Sequence, residues 1–400
     1  MPSSPSFAQM RRRNSNVVVN LVKNQPGISR AELAKQAGLA KATISEIVDH
    51  LLRLGLLQES GSRTSSGGRP AVGLTFNASV GFVLGICLDP TGVAACLVDL
   101  DGSVLNVFRL ARIDWTAAEI YSNLSGRLQA AFAELGCSKR SVLALGLAIP
   151  GPVAQEVKNK PDAAKGEYGQ FIHSLKNDFD CAVQLDSNTN MAALAEVTRS
   201  TLCESDVVLV VRLGHMVRTA IVANNQILCG SGGLAGELGH IAIPNNRFKC
   251  SCGLVGCINT VASTGAILDR ALRAGVKAST FDEVIAECKS ANQEELTLII
   301  AEAASAVGYG LAAAINLIAP DVVIVSGPAA QAGDLVLIPL REALRRSALS
   351  DNLNRCRLLL GPAGDTAECF GAALFALEKL TAEADSLIDI QHRRTVNLPH

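Results

Sequence analysis

Three cysteines and a histidine lie in one short glycine-rich stretch of this 400-residue chain. His240 is followed by Cys250, Cys252 and Cys257, and glycines separate the thiols. Thiolate and imidazole are ligands that zinc prefers, and four of them close a tetrahedral structural site. Glycine allows the sharp turns that aim three sulfurs at one point. The stretch therefore predicts a structural Zn²⁺ site within residues 240–257. The alternative is a group of neighbouring buried thiols.

The remaining cysteines favour a reducing compartment. The chain has 12 cysteines, which would suit disulfides in a secreted protein, but the arginines at 11–13 precede only a short apolar stretch that Asn20 interrupts. That stretch lacks the cleavage site of a signal peptide. No segment is expected to reach the roughly 18 apolar residues that span a bilayer. We therefore expect reduced thiols, a cytoplasmic location and no membrane association.

Charge is distributed unevenly along the chain. Residues 1–76 carry ten Lys and Arg against four Asp and Glu, whereas the rest carries 26 against 33. A basic N-terminal segment on an acidic body suggests that this segment binds a polyanion. A solvated basic face is the alternative, so the sequence pattern of the segment has to decide.

That pattern is typical of a helix-turn-helix. A short helix is expected over 17–23, and Ser29 with Glu32 forms a capping box that starts a second one. Gly38 suits the left-handed backbone that ends this helix. Over 41–54 the apolar residues recur on one face of a third helix. In a helix-turn-helix, the helix that follows the turn enters the major groove of DNA, and here that is the third helix. An ordinary three-helix bundle is the alternative.

The polar face of the third helix supplies the candidate DNA contacts. Lys41, Thr43 and Ser45 are expected nearest the base edges. Glu46 is suited to accept a hydrogen bond from a cytosine amino group. The expected partner is a double-stranded DNA operator.

A polar, glycine-rich segment at 61–70 follows this helix and predicts a wing. Arg63 and Arg69 in it would contact phosphate or enter a minor groove. A plain linker is the alternative. We expect residues 1–77 to form a winged helix-turn-helix domain and residues 78–400 to form the body.

The body predicts two α/β halves, each of which opens with a hairpin. Asp101 and Gly102 suit the turn of the first hairpin. Such a repeat indicates a duplicated architecture with a cleft between the halves. Strands are expected at 81–88, 92–100, 104–109, 142–149, 207–213, 219–222 and 322–325, and helices at 117–134 and 301–318.

Several short motifs resemble those of the ROK family of repressors, open reading frames and kinases, and the whole chain is similar to its repressor branch. The motifs are Gly-Arg-Pro at 68–70, Ile-Pro-Gly-Pro at 149–152, Gly-Glu-Leu-Gly-His at 236–240, the cysteine string at 250–257 and Asn-Leu-Ile-Ala-Pro-Asp at 316–321. The resemblance implies a sugar-kinase fold of the hexokinase, actin and Hsp70 type. It also implies that His240, Cys250, Cys252 and Cys257 are the zinc ligands.

Both phosphate loops of the family's kinases are altered in this chain. Where those kinases have Asp-x-Gly-Gly-Thr, residues 89–92 are Asp-Pro-Thr-Gly, and proline removes a backbone donor. Where they have Gly-Thr-Gly-Ile-Gly, residues 214–218 are Gly-His-Met-Val-Arg. These changes place bulk where backbone must approach phosphate closely.

The catalytic base is altered as well. The family's Glu-Asn-Asp-Ala-Asn corresponds to residues 186–190, and Glu196 fixes the alignment. Asn188 replaces the aspartate that accepts the sugar hydroxyl proton, and an amide cannot do so. Asp186 would substitute only if the register shifted by two residues. We therefore expect that the protein is not an enzyme.

A ligand pocket is expected to remain in the cleft. The resemblance assigns Glu237 and His240 to a sugar, while Ser187, Asn188 and Asn259 stand where the family has other sugar contacts. With fewer carboxylates the pocket repels anions less, which makes a sugar phosphate or acidic sugar acceptable. Arg218 would add positive charge if it faced the cleft. A pocket that binds nothing is the alternative.

The sequence as a whole predicts a DNA-binding transcriptional regulator, a repressor of carbohydrate uptake or catabolism genes that a sugar or sugar phosphate releases. A homodimer or homotetramer is expected, because paired helix-turn-helix domains read paired half-sites. Two alternatives remain: a sugar kinase that also binds DNA, and a regulator controlled by a protein partner.

Overall fold

The computed structural model of the chain describes residues 7–63, 71–90, 92–111, 116–159, 166–203, 206–290, 294–382 and 388. Secondary structure follows the expected order: helices and a small sheet come first, and a larger α/β body follows. The fold class expected from the sequence is therefore confirmed.

The first elements, α1 to β3, form a unit that we call the head. A three-stranded sheet in the order β1-β3-β2 closes it. Helix α1 begins ten residues before the expected residue 17. The head consists of α1 (Phe7–Asn24), β1 (Ile28–Ser29), α2 (Arg30–Ala37), α3 (Lys41–Arg53), β2 (Leu57–Arg63) and β3 (Ala71–Phe76).

The capping box at the start of α2 is present. The Ser29 hydroxyl accepts from the Glu32 amide, and a Glu32 carboxylate oxygen accepts from the Ser29 amide at 2.8 Å. Gly38 ends the helix with a φ of 66°. The apolar face of α3 is buried, at Ile44, Ile47, Val48 and Leu51, while Leu52 is only partly buried. This packing orients the opposite, polar face of α3 outward.

The first half of the body is a five-stranded sheet with helices. Its strand order is β6-β5-β4-β7-β8, with an antiparallel hairpin at one side and parallel pairs at the other. The elements are β4 (Phe82–Asp89), β5 (Gly92–Asp99), β6 (Val104–Ala111), α4 (Ala117–Glu134), β7 (Val142–Ile149), α5 (Gly151–Asn159), α6 (Gly166–Asp178) and β8 (Ala182–Ser187).

The second half repeats this pattern, with strand order β11-β10-β9-β12-β13. Its strands are β9 (Val208–Leu213), β10 (Val217–Ala223), β11 (Gln226–Ile227), β12 (Val322–Ser326) and β13 (Arg357–Leu360). The helices that follow β8 along the chain are α7 (Asn188–Arg199), α8 (Asn259–Ala262), α9 (Thr264–Arg273), α10 (Phe281–Ser290), α11 (Glu294–Ile318), α12 (Asp334–Ser347), α13 (Ser350–Arg355) and α14 (Ala367–Ala382).

Helix α14 packs closely on the first sheet and on α7. A Cβ on Gly85 or Gly146 would overlap the backbone of α14, and one on Gly371 would overlap the backbone of α7. Close approach of backbones therefore requires glycine at these three places. The buried residues of the head belong to the same apolar core as β4, β5, β7 and α14.

Helix α11 corrects the expectation that no segment is long and apolar enough to span a bilayer. Over 294–318 it passes that test by length and composition. However, 61% of its most apolar window is buried inside the protein. It packs along α12, where Gly308 lies against Leu340, and it contacts α8 and α9. Within the described residues, α11 therefore has the environment of a core helix.

Candidate functional site

The four predicted metal ligands converge on one point. The ligand atoms of His240, Cys250, Cys252 and Cys257 all lie within 4.8 Å of one another. Cys250 Sγ is 3.7 Å from His240 Nδ1, and Cys252 Sγ is 3.7 Å from Cys257 Sγ. A tetrahedron with Zn–S bonds of about 2.3 Å has edges of about 3.8 Å, so the arrangement fits this ion.

Backbone hydrogen bonds and two glycines shape the loop that carries these thiols. Isolated bridges join Ala242 to Cys257 and Lys249 to Val255. Gly253 and Gly256 have φ values of 94° and 90°, which other residues rarely adopt. The glycines therefore let Cys250, Cys252 and Cys257 face the same point.

The electrostatics of the thiols also suit a cation. Burial, together with the neighbouring thiols Cys252 and Cys250, raises the pKa of Cys257 to about 12. The pKa of Cys250 is lowered although burial opposes this, because hydrogen bonds, first from Cys252, stabilise its thiolate. Crowded thiols of this kind lose all their protons only when a cation compensates the charge.

Two adjacent cavities lie between the halves of the body. We call the first, of about 290 Å³, the hairpin cavity; it is lined by Asp89, Pro90, Arg109, Pro150, Gly151, Pro152, Asn188, Thr189, Arg212, His215, Met216, Arg218, Thr264 and Pro328. We call the second, of about 270 Å³, the loop cavity; it is lined by Gly151, Pro152, Gln155, Ser187, Thr189, Asn190, Arg218, Thr219, Gly233, Leu234, Ala235, Gly236 and Glu237. Arg218 lines both cavities and stands at their boundary.

The structure brings some of the expected ligand-binding residues together and separates others. Ser187 and Glu237 line the loop cavity, and Asn188 lines the hairpin cavity. His240 and Asn259 line neither of these two cavities. Asn259 is buried, and its side-chain oxygen accepts from the Val217 amide at 2.7 Å, which ties α8 to β10.

Glu237 links the cleft to the cysteine and histidine cluster. One carboxylate oxygen accepts from Arg218 Nη1 at 2.5 Å. The other lies 3.7 Å from His240 Nε2, on the ring edge opposite the nitrogen that faces Cys250. A carboxylate beside a ligating histidine fixes the orientation of the ring. The carboxylate of Glu237 therefore already contacts Arg218 and His240 within the protein.

Arginines from three strands reach the hairpin cavity, and the sequence suggested only one of them. Arg109 lies on β6, Arg212 on β9 and Arg218 on β10. Arg212 forms an ion pair with Glu368 of α14. More than 100 positions separate Arg109 from Arg212, so sequence spacing gave no signal that they meet. His215 and Met216, from the altered second phosphate loop, line the same cavity.

The residues near the expected catalytic base have definite partners. Asp186 is buried and accepts hydrogen bonds from Lys158 at 2.7 Å, Asn190 at 3.0 Å and the Ser187 amide. It lines neither cavity. Asn188 begins α7, and its side-chain oxygen is buried without a hydrogen-bond partner among the described residues.

Glu196, on which the alignment of the catalytic motif rests, is buried and hydrogen-bonded. It is fully buried, and its carboxylate accepts from the Ser326 hydroxyl at 2.5 Å and the Ala363 amide at 2.9 Å. It thereby joins α7 to the end of β12 and to the segment that follows β13.

The candidate DNA contacts lie on the open face of α3. Lys41 and Glu46 are exposed, and Thr43 and Ser45 are partly buried. Arg30 on α2, which sequence reasoning did not single out, pairs with Asp49 at 2.7 Å and with Glu59 at 3.6 Å. The acidic charge of Asp49 beside this face is therefore balanced. Arg63 ends β2, paired with Ala71, and Arg69 lies outside the described residues.

The model of the ROK family matches residues 83–379, which is most of the chain. The chain belongs to the ROK family. Among proteins of known name, it is 27% identical to the putative xylose repressor of Caldicellulosiruptor sp. (strain Rt8B.4), over 95% of this chain and 99% of that protein. It is 26% identical to the transcriptional dual regulator NagC of Escherichia coli K12, over 84% of each chain.

Solved ROK structures share the fold. A ROK family transcriptional regulator described as a homologue of the E. coli MLC protein gives a TM-score of 0.73 at 24% identity, covering 96% of this chain and 99% of that one. A ROK glucokinase from Streptomyces griseus, in complex with glucose and AMPPNP, gives a TM-score of 0.62 at 25% identity, over 74% of this chain and 99% of the kinase. The expected sugar-kinase fold of the body is therefore confirmed.

Proposed function

We propose that this protein is a DNA-binding repressor of carbohydrate uptake or catabolism genes, released when a sugar or sugar phosphate binds in the cleft. One observation carries the proposal: the chain joins a helical head with an open polar α3 face to a complete ROK body. The relatives that match over nearly the full length are named as repressors, whereas the kinase covers only the body. The xylose repressors and the N-acetylglucosamine repressor are named after sugars, and NagC is named a DNA-binding transcriptional regulator.

In this proposal residues 1–77 form a winged helix-turn-helix domain. Helix α3 enters the major groove of an operator, with Lys41, Thr43, Ser45 and Glu46 at the bases, and the β2–β3 ribbon is the wing. Arg63 and Arg69 contact phosphate. A homodimer or homotetramer presents paired heads, because two half-sites lie about 34–36 Å apart along DNA.

We propose that the body no longer transfers phosphate. Pro90 has no amide hydrogen to donate, and His215 with Met216 fills the second phosphate loop. Asn188 holds the place of the base, and loss of a general base slows a reaction by about 10²–10⁴-fold. Asp186 does not replace it, because Lys158 and Asn190 hold its carboxylate away from both cavities.

The effector site of the proposal is the cleft, with Ser187, Asn188, Glu237, His240 and Asn259 as its first assigned residues. His240 acts through Glu237, and Asn259 supports β10 beneath Arg218. His240, Cys250, Cys252 and Cys257 would hold a structural Zn²⁺, which would fix the His240 ring beside Glu237. The protein works in the cytoplasm, where thiols remain reduced.

The test measures DNA binding by the purified protein on DNA from upstream of its own gene, titrated with sugars and sugar phosphates. Salt-dependent, sequence-specific binding that one compound abolishes is the expected result. ATP-dependent phosphorylation of a sugar by the same preparation would favour the kinase alternative. Release by a protein fraction and by no sugar would favour control by a partner.

A base-reading role for Glu46 is tested in the same assay. Glu46→Ala should relax discrimination at one base pair by about 1–3 kcal/mol while binding to other sequences changes little. Glu295→Ala, an exposed glutamate of α11, is the control and should leave both quantities unchanged. If Glu46→Ala weakens every sequence equally, Glu46 does not read a base.

A further inference from the structure

We propose that a cavity between α4 and α6 is a second ligand site, which takes a small neutral aromatic molecule with one hydroxyl group. We call it the outer cavity, because α4 and α6 cover the face of the first sheet opposite α14. Its volume is about 280 Å³, and it shares no lining residue with the hairpin cavity or the loop cavity. The site is therefore separate from the cleft, and the proposal does not depend on the repressor function.

The first observation is the apolar part of the lining. Leu128 and Phe132 of α4 and Phe179 after α6 line the outer cavity. All three are buried and belong to the core that these helices form with the sheet. Small-molecule sites are typically concave and mostly apolar, with a few polar groups that orient the ligand. An apolar space of about 150 Å³ already accommodates a benzene ring, so the outer cavity has room for a substituted ring.

The second observation is a hydrogen-bonded polar group in the same lining. Asp178 accepts from Tyr121 Oη at 2.7 Å and from Lys139 Nζ at 2.9 Å. A carboxylate has about four acceptor sites and an ammonium has three donors, so these contacts leave capacity on both side chains. A group that can both donate to a ligand and accept from it suits a hydroxyl, which itself does both.

The third observation is the charge of the lining, which sums to zero. Burial, and then the hydrogen bond to Asp178, raises the pKa of Tyr121, and burial raises the pKa of Cys137, so both are neutral at pH 7. Hydrogen bonds from Lys139 and Tyr121 lower the pKa of Asp178, so its carboxylate balances the Lys139 ammonium. An ionic ligand would add a charge without a partner, and a neutral ligand avoids that cost.

The aromatic side chains of the lining favour an aromatic ligand over a sugar. The Tyr121 ring stands edge-on to Phe171, with centroids 5.9 Å apart and planes at 77°, which holds its orientation. Phe132 and Phe179 add two more rings to the lining. Aromatic rings attract each other in such edge-to-face and offset contacts. A hexose would place several hydroxyl groups against these apolar side chains, where they lose their partners in water.

The experiment is a titration of the full-length protein with p-cresol, toluene and glucose, with binding measured by ligand-observed NMR. We expect p-cresol to bind about two- to tenfold more tightly than toluene, the usual net effect of one neutral hydrogen bond.

Cys137 provides a local readout, because it lines the outer cavity. Its alkylation by iodoacetamide is followed by peptide mass spectrometry. With p-cresol at about ten times its Kd, alkylation of Cys137 should slow about tenfold, since only the empty fraction reacts. Alkylation of the exposed Cys203 should stay unchanged, and glucose should not protect Cys137.

Ala133→Trp tests the site with a variant that fills it. Ala133 lines the outer cavity from an exposed position of α4, so the indole occupies the ligand's space without removing a buried side chain. It should weaken p-cresol about tenfold or more, because a filled space cannot also hold the ligand. Ala130→Trp, at an exposed position of the same helix outside the lining, is the matched control and should leave the affinity unchanged. Thermal unfolding verifies that both variants fold.

Absence of binding by p-cresol and toluene up to their solubility limits would overturn the proposal. Equal p-cresol affinity in Ala133→Trp and the unchanged protein, or no protection of Cys137, would overturn the site. Equal affinity for p-cresol and toluene, or protection of Cys137 by glucose, would overturn the class of ligand. DNA binding tests the proposed function separately, so the two can fail independently.

Discussion

The proposed loss of phosphate transfer can be tested at a single residue, Asn188. The amide begins α7 and faces the hairpin cavity from a position where a carboxylate would be the base. Restoring the carboxylate does not restore the phosphate loops, because Pro90 and Met216 remain. The three changes act on the same reaction, so repairing one of them recovers little.

We therefore expect Asn188→Asp to show no ATP-dependent phosphorylation of sugars above the level of the unchanged protein. The measurement is a coupled ADP-release assay with a panel of hexoses and pentoses. A rise of about 10²-fold or more, the usual contribution of a general base, would show that the two loops still hold a nucleotide.

The carboxylate of Asp178 accepts hydrogen bonds from two side chains. Hydrogen bonds from Lys139 Nζ at 2.9 Å and Tyr121 Oη at 2.7 Å lower the pKa of its carboxyl from 3.8. The carboxylate thus stabilises the folded state above the unfolded-state pKa, and this contribution is lost as pH falls through the lower folded-state value.

Asp178→Asn should lower Tm at pH 7, and the difference from the unchanged protein should shrink in acid below about pH 4. Thermal unfolding between pH 7 and pH 2.5 measures this. Tyr121→Phe removes one of the two donors and should reproduce part of the effect. A difference that stays constant over the whole range would contradict a role for ionisation.

At the scale of secondary-structure elements, α2 packs against α3 and so supports it. The chain has a second capping box, at the start of α4, which serves as a control for the one at the start of α2. Ser29→Ala removes the cap and should cost about 1 kcal/mol of stability. Because α2 packs against α3, DNA affinity should fall too. Thr116→Ala breaks the same motif at the start of α4 in the body, and it should cost similar stability without changing DNA affinity. Equal loss of DNA affinity in both variants would contradict a local effect on the head.

The loop that carries the cysteine cluster is the second such element. Cys252→Ser changes an exposed member of the proposed zinc site without opening a cavity, so any loss of stability reports on metal binding. We expect the protein to lose one zinc per chain, measured by elemental analysis, and to unfold at a lower temperature. Cys229→Ser, also exposed but outside the cluster, should keep both unchanged. Retention of full zinc content by Cys252→Ser would contradict the ligand set.

On the scale of the whole molecule, Lys23 joins the head to the body. Its ammonium donates to the Leu100 carbonyl at 2.9 Å, lies 3.9 Å from Asp101 and stands 4.2 Å from the centre of the Phe76 ring. Burial lowers the pKa of Lys23 despite the two nearby aspartates, so the ammonium is partly desolvated at this contact. A movement of the first half of the body would therefore be transmitted to α1.

Lys23→Gln should reduce the factor by which an effector weakens DNA binding, while DNA affinity without effector changes less. Fluorescence anisotropy with labelled operator, with and without the effector, measures this factor. Lys35→Gln, at an exposed position of α2, is the control. An unchanged factor in Lys23→Gln would show that coupling takes another route.

The sequence by itself determined several of the elements and the cysteine and histidine cluster. Helical spacing of apolar residues located α3, a capping box located the start of α2, and a histidine with three close cysteines located the cluster that could hold a metal ion, because these signals depend on neighbours along the chain. Only tertiary structure decided the chemistry of the cleft. Arg109, Arg212 and Arg218 come from separate strands, Glu237 turns to Arg218, and Asn259 turns away from both cavities. Such contacts depend on how the two sheets and the helices around them pack, which no local pattern of residues encodes.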